Sequence, residues 1–354
     1  MRRQDPHGLV RFLRRAGRRM PAPLLILTHD HPDPDAMASA WALAYLAQRL
    51  AGLRARLAYG GIIGRMENQM LVRLLRIPIR PLTRATLERA ASVALIDTQP
   101  PFQNNPFSAA ARATLIIDHH PPHAQTQADF ALIDRGVGAT ATLLVEACEA
   151  ARLAPPAPLS TALAYGISSE TQQLGREAGP RDLAAYRRCF ARARVRLLAK
   201  IQNPPRPTSF FYTLGTAIHQ AFVLDAVIGV HLGRVPSQDV VAHMADFLLT
   251  HEAARWSIVT GRYKDQLMVS LRTRNPRAEA GRLLWRLLGC GAAAGGHRMI
   301  AGGAISLPPR ATEREWRQTE QELTAAFLRS QGRRPPFRFR YPYGGISRPR
   351  MSRG

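Results

Sequence analysis

At 354 residues the chain is long enough for two domains of ordinary size, and 46 % apolar residues suit packed cores rather than a disordered chain. The formal charge of +24 is carried almost wholly by arginine, with Lys200 and Lys264 as the two lysines, which suits a polyanionic partner such as nucleic acid or a nucleotide. No window approaches about eighteen uncharged apolar residues, so no transmembrane segment is expected. Cys148, Cys189 and Cys290 match no metal or redox spacing and read as buried thiols in a reducing, cytoplasmic setting.

Residues 1–20 hold seven arginines and one acid, and residues 331–354 hold seven arginines and none. Both read as basic tails outside the folded domains, free to contact nucleic acid. Within the first, residues 8–19 have the spacing of a short basic amphipathic helix, with Leu9, Phe12 and Leu13 on one side.

From residue 21 an apolar run, an acidic cluster and a helix-like stretch recur. PLLILT leads to His29-Asp30-His31, and Asp33-Pro34-Asp35 opens an alanine-rich helix. RARLAYGG (54–61) reads as the next strand. ASVALIDT carries Asp97, and ATLIIDHH ends on Asp118-His119-His120. DFALID, a glycine turn with a helix in GVGATATLLVEACEA, and STALAYGISSET with Glu170 follow. This alternation predicts an α/β domain over 21–200, a mainly parallel sheet flanked by helices. RDLAAYRRCFARARVRLLAKI predicts one long basic helix, and the prolines of NPPRPT (203–208) mark a linker over 201–212. A second, smaller α/β domain is expected over 213–330. It comprises a helix in VVAHMADFLLT, a strand–turn–strand in WSIVTGRYKDQLMVSLRT, a helix in RLLWRLLG and the glycine-rich GAAAGGHRMIAGGAISL.

In parallel sheets ligands gather at the carboxyl ends of strands, and here three successive apolar runs finish on metal-ligating residue types. In His29-x-x-x-Asp33-x-Asp35, a loop leaving a strand can aim the imidazole and first carboxylate at one cation and turn the second carboxylate toward a neighbour. Imidazole with carboxylates suits manganese, iron or zinc better than calcium. Asp97 is placed to bridge two ions, and His119 and Glu170 to complete the shell of the second ion. Two adjacent cations are a standard device for hydrolysing phosphate esters.

HDHPDPDAMAS, the Asp97 strand and IDHH at 117–120 resemble the first three motifs of the DHH phosphoesterase superfamily, and SLRT (270–273) with GGHRMIAGG (295–303) resembles its DHHA1 substrate-binding domain. The resemblance covers about 21–308. It implies two manganese ions, the first held by His29, Asp33 and Asp97, the second by Asp35, Asp97, His119 and Glu170. It implies Asp118 as an acid that fixes the tautomer of a neighbouring imidazole, and His120 as a group facing the substrate phosphate. Gly138-Ala139-Thr140 falls where a later motif is expected, with Thr140 as a substrate contact. Arg272, Arg298 and the Gly295-Gly296-His297 turn would grip a base or terminal phosphate. Two positions depart from the pattern: Glu170 stands where aspartate is usual, and Ala294 where GGGH begins.

The function these features imply is a manganese-dependent phosphodiesterase for short RNA or DNA oligonucleotides or phosphorylated nucleotides, similar to the oligoribonucleases (nanoRNases) of the superfamily. A 3′-phosphoadenosine 5′-phosphate phosphatase, a cyclic dinucleotide phosphodiesterase and a single-strand exonuclease are the neighbouring alternatives. A nucleotide- or RNA-binding regulator with a weakened site is the alternative outside the enzymes, and a homodimer stays open.

Overall fold

The computed structural model describes residues 5–16, 20–102, 104–175, 177–289, 293–296 and 298–344. The chain divides into two compact units, Met1–Pro204 and Pro205–Gly354.

The first unit is built on strands β1 (Leu24–Thr28), β2 (Ala55–Tyr59), β3 (Ile79–Pro81), β4 (Val93–Ile96), β5 (Ala113–Asp118) and β6 (Ala128–Ile133). They lie in the order β3-β2-β1-β4-β5-β6, and every pairing is parallel. Strand residues alternate between two cores. Leu24, Ile26, Ala94, Ile96, Leu115 and Ile117 face the larger one, while Leu25, Leu27, Val93, Leu95 and Ile116 face the smaller. Burial on both faces is why these strands read as continuous apolar runs. The helices are α1 (Pro6–Ala16), α2 (Pro34–Ala51), α3 (Met66–Leu75), α4 (Arg84–Glu88), α5 (Thr140–Ala150), α6 (Ala157–Glu170), α7 (Pro180–Phe190) and α8 (Val195–Gln202). Strand order reverses between β1 and β4, so this fold has its ligand-binding crevice at the carboxyl ends of those two strands.

The second unit comprises α9 (Thr208–Gln220), β7 (Phe222–Leu224), β8 (Val227–Arg234), α10 (Gln238–Leu248), β9 (Trp256–Tyr263), β10 (Gln266–Thr273), α11 (Ala280–Leu288), β11 (Ala293–Gly296), β12 (Ile300–Ser306) and α12 (Glu313–Ser330). Its sheet runs β11-β12-β10-β9-β8-β7 and is mixed, with β8–β9 the parallel pair. One face packs on α10, the other on α11 and α12.

Four details differ from the expected organisation. The N-terminal stretch is no loose tail: α1 buries Leu9, Val10 and Leu13 in the larger core and sets Phe12 against Phe130, ring centroids 5.1 Å apart. Arg11, Arg14 and Arg15 of the same helix are exposed. The Asp5 carboxylate accepts from the Gly8 N–H at 2.6 Å and satisfies the start of this helix. Likewise residues 333–344 run along the second unit, where Phe337 and Phe339 pack on its core and Arg340 exchanges two backbone hydrogen bonds with Val223. The long basic helix is broken between Phe190 and Val195, where the Arg194 N–H leaves helical bonding for the Thr161 hydroxyl at 2.8 Å. The irregular linker shrinks to 203–207, because α8 and α9 grow in from both sides. No helix among the described residues is long and apolar enough to cross a membrane.

Candidate metal centre

At the switch point, β1 delivers His29, β4 delivers Asp97 and β5 delivers Asp118-His119-His120. The loop after β1 then closes onto α2, where Asp33 is the N-cap and its carboxylate accepts from the Ala36 N–H at 2.9 Å. The Nδ1 of His29 lies 2.8 Å from the Asp30 carbonyl, which accepts its proton and leaves Nε2 as a free ligand atom. That Nε2 stands 3.9 Å from Asp33 Oδ2 and 3.7 Å from Asp97 Oδ2. On the other side of Asp97, Oδ1 is 3.5 Å from His119 Nε2 and 3.6 Å from His120 Nδ1.

Two donor sets therefore share one carboxylate: His29, Asp33 and Asp97, and Asp97, His119 and His120, each with ligand atoms within 4.8 Å of one another. Two ligands about 2.0–2.2 Å from one ion subtend roughly 3–4 Å, which matches the separations at His29 and His119; His120 Nδ1 donates to Asp118, so the atom this ring offers an ion is Nε2. The set passes a second test. His119 Nε2 is buried and makes no hydrogen bond, an arrangement that costs about 1–3 kcal/mol unless something else meets the lone pair. A divalent cation would meet it. Asp97 itself has φ +60, a left-handed conformation uncommon outside glycine and tolerated by aspartate. Such backbone strain concentrates at working sites.

The protonation pattern follows from crowding of acids in a buried place. Burial opposes the charged form of His29, yet the Asp33 and Asp97 carboxylates outweigh it and lift the imidazole to about 9. At His120 burial is again overcome, by the Asp118 hydrogen bond and by the charges of Asp97, Asp118 and Glu170, and the value rises to about 10. Asp33 and Asp118 would be raised by burial, but their histidine partners hold both below the usual carboxylate range. Asp35 goes the other way, pushed well up by burial and by Asp97, Asp33 and Glu170. Without cations the cluster thus compensates its carboxylates with protons, a task divalent ions perform when bound.

Not every expected ligand is placed as the motif implied. Asp35 is fully buried, and its two oxygens accept from the Thr140 and Ala141 N–H groups, both at 2.7 Å. It caps α5 and stands outside both donor sets among the described residues. Thr140, expected at the substrate, is instead buried behind Asp97 and donates its hydroxyl to Oδ1 at 2.8 Å. That bond holds one oxygen of the carboxylate common to both sets. Glu170 ends α6, half-buried, close enough to be felt electrostatically at Asp35 and His120 but in neither set. α6 approaches through Gly166, where a Cβ would stand 3.1 Å from the Pro34 carbonyl oxygen and 3.2 Å from Asp35 Cα. His120, expected at the phosphate, joins the second donor set. Asp118 Oδ1 accepts from His120 Nδ1 at 2.8 Å and from the His120 N–H at 3.1 Å.

Sequence reasoning missed Gln99. Fully buried, it donates to Asp118 Oδ2 at 2.7 Å and to the Pro121 carbonyl at 3.2 Å, while its Oε1 accepts from the His123 N–H and the Thr126 hydroxyl. Its place two residues after Asp97 was the available signal.

The remaining expected residues belong to the second unit. Arg272, near the end of β10, is buried; its Nε donates to Asp246 at 2.5 Å, and its Nη1 donates to the Leu271 and Ala301 carbonyls, both at 3.0 Å. It is committed within its own unit instead of being open to a ligand. Gly295 and Gly296 lie in the outer strand β11, and Arg298 follows, exposed. His297 and Cys290 lie outside the described residues.

Residues 23–167 match the DHH family, N-terminal domain. An uncharacterized protein of Methanocaldococcus jannaschii is 35 % identical over 289 residues, 81 % of this chain and 58 % of the relative, so the chain spans little more than half that relative's length. Among solved structures, an exopolyphosphatase-related protein from Bacteroides fragilis superposes with a TM-score of 0.70 at 14 % identity, covering 91 % of this chain and 96 % of that one. RecJ of Thermus thermophilus in complex with Mn2+ gives a TM-score of 0.48 at 15 % identity over 93 % of this chain and 55 % of that one.

Proposed function

We propose that this chain, whose first unit carries a DHH family domain, is a manganese-dependent phosphodiesterase of the two-metal kind. Its substrates are short oligonucleotides or phosphorylated nucleotides. The observation that carries the reading is the pair of donor sets sharing Asp97. His29, Asp33 and Asp97 would hold one cation; Asp97, His119 and His120 would hold the other. Bound divalent ions supply Lewis-acid charge and lower the pKa of water, the two needs of phosphate ester hydrolysis near neutral pH.

The chain's own residues set the stage. The Asp30 carbonyl fixes the tautomer of His29, and Asp118 fixes the orientation of His120. Thr140 holds one oxygen of Asp97, so that the other faces His29. Asp35, by anchoring the first turn of α5, keeps Thr140 in place. The net charge of +24 draws in polyanions and favours nucleotide chains over neutral esters.

The test is a substrate panel with Mn2+: a dinucleotide such as pApA, 3′-phosphoadenosine 5′-phosphate, a cyclic dinucleotide and polyphosphate. Hydrolysis of the dinucleotide is expected, and Asp97→Ala should reduce it to background with the fold intact by circular dichroism. Undiminished turnover by folded Asp97→Ala protein would refute the shared-ligand site. Turnover of polyphosphate alone would overturn the nucleotide reading.

A further inference from the structure

The second unit carries an aromatic side chain that its core does not explain. α11 buries Ala280, Leu283 and Leu284, while Trp285 is 52 % exposed. Arg282 precedes it by three residues and shares its face, and Arg286 adjoins it. Arg298 reaches the start of the same helix, where its carbonyl accepts from the Ala280 N–H at 2.8 Å. Glu279 meets both Arg298, at 3.5 Å, and Arg282, at 3.8 Å. One carboxylate shared by two guanidiniums, with Arg286 beside them, leaves this face positive.

Helical side chains lean toward the N-terminus over the preceding turn. The residue one turn before Trp285 is Gly281, where a Cβ would come within 2.5 Å of the Gly296 carbonyl oxygen. That glycine lets α11 sit against β11. A flat aromatic surface flanked by arginines is the arrangement that receives single-stranded nucleic acid, with bases stacked on the ring and phosphates met by guanidiniums.

We infer that Trp285 is a stacking platform for a base of single-stranded nucleic acid, with Arg282, Arg286 and Arg298 contacting the adjoining phosphates. The inference deepens the nucleotide reading and rests on it for substrate class, but it concerns binding alone. Committing to a strand instead of an apolar partner follows from the charge: the indole stands among arginines, with no apolar residue exposed elsewhere on α11.

The experiment measures binding of the full chain in EDTA, so that hydrolysis plays no part. Fluorescently labelled oligoadenylate of about six nucleotides is compared with an abasic strand of the same length and charge. Of the four tryptophans, Trp256 and Trp316 are 8 % exposed and Trp41 is half-buried, so quenching of intrinsic fluorescence reports mainly on Trp285. Oligoadenylate should quench it and the abasic strand should not. Trp285→Ala should weaken oligoadenylate binding by about 5- to 150-fold, and Trp285→Phe should restore most of it. The abasic strand should bind parent and variants alike. Equal affinity of Trp285→Ala and parent for oligoadenylate would overturn the proposal. So would an equal loss for both strands, which would mean the ring merely supports the arginines. Because turnover is not read, failure here is distinct from failure of the two-metal site.

Discussion

Replacing Asp118 by asparagine tests whether the centre is assembled as described, since the change keeps size and shape and alters only what each oxygen can do. Asp118 accepts on both sides: Oδ1 from the ring and backbone of His120, Oδ2 from the Gln99 amide. An amide can accept on one side only. If it keeps His120, its NH2 faces the NH2 of Gln99. Rotating Gln99 does not help, because its Oε1 already accepts from the His123 N–H and the Thr126 hydroxyl. The loss is one charge-assisted hydrogen bond, about 1.5–3 kcal/mol, overlapping with the cost of stranding a buried donor, about 1–3 kcal/mol. A net of roughly 2–4 kcal/mol should lower the melting temperature of the first unit by roughly 5–15 °C.

The assay is thermal unfolding in EDTA at pH 7, with proton NMR of the His120 ring. The sign fixes the pH. His120 is raised in the folded protein to about 10, so its contribution is fully present below about 6.5 and fades as pH rises toward 10. Asp118 is depressed, so its contribution appears above the carboxylate range and is lost as pH falls through its folded value. Neutral pH lies inside both windows. Asp118→Asn should move the His120 titration down toward its ordinary value. Combining it with Gln99→Glu supplies an acceptor opposite the new amide and should recover about half the lost stability, the remainder being the bond from Gln99 to the Pro121 carbonyl. A single variant that melts like the parent, or a pair no more stable than the single, would refute this wiring.

Leu13→Ala should cost about 2–5 kcal/mol, because Leu13 is fully buried on α1; a variant within experimental error of the parent in denaturant unfolding would mean that α1 does not belong to the core. Burial pushes the thiols of Cys148 and Cys189 up to about 12. In a Cys290→Ser protein, a thiol reagent at pH 8 should therefore release colour only on denaturation, and prompt reaction of the native protein would contradict that burial. Being raised above the unfolded value, these thiols contribute stability fully below about pH 8.5 that is lost as pH rises toward 12.

The centre was legible where its chemistry is local. His29, Asp97 and His119 each follow an apolar run, and burial of β1, β4 and β5 on both faces makes those runs unmistakable, so strand ends and ligand types could be read together. What could not be read is what each carboxylate does with its second oxygen. Asp33 and Asp35 look alike in HPDPD, yet one faces His29 and the other is turned to α5 by amides more than a hundred residues away. Thr140 and Gln99 were misjudged or missed for the same reason, since their partners Asp97 and Asp118 arrive only when the sheet forms. The arginine-rich N-terminus shows the converse. Its apolar spacing was visible, but spacing alone cannot tell a core from solvent, and charge counted along the chain says nothing of which face is turned inward. Motif spacing therefore specifies a set of donors. The division between those that hold an ion and those that hold a helix is made by tertiary hydrogen bonds, and it decides which substitutions will abolish metal binding and which will loosen the fold around it.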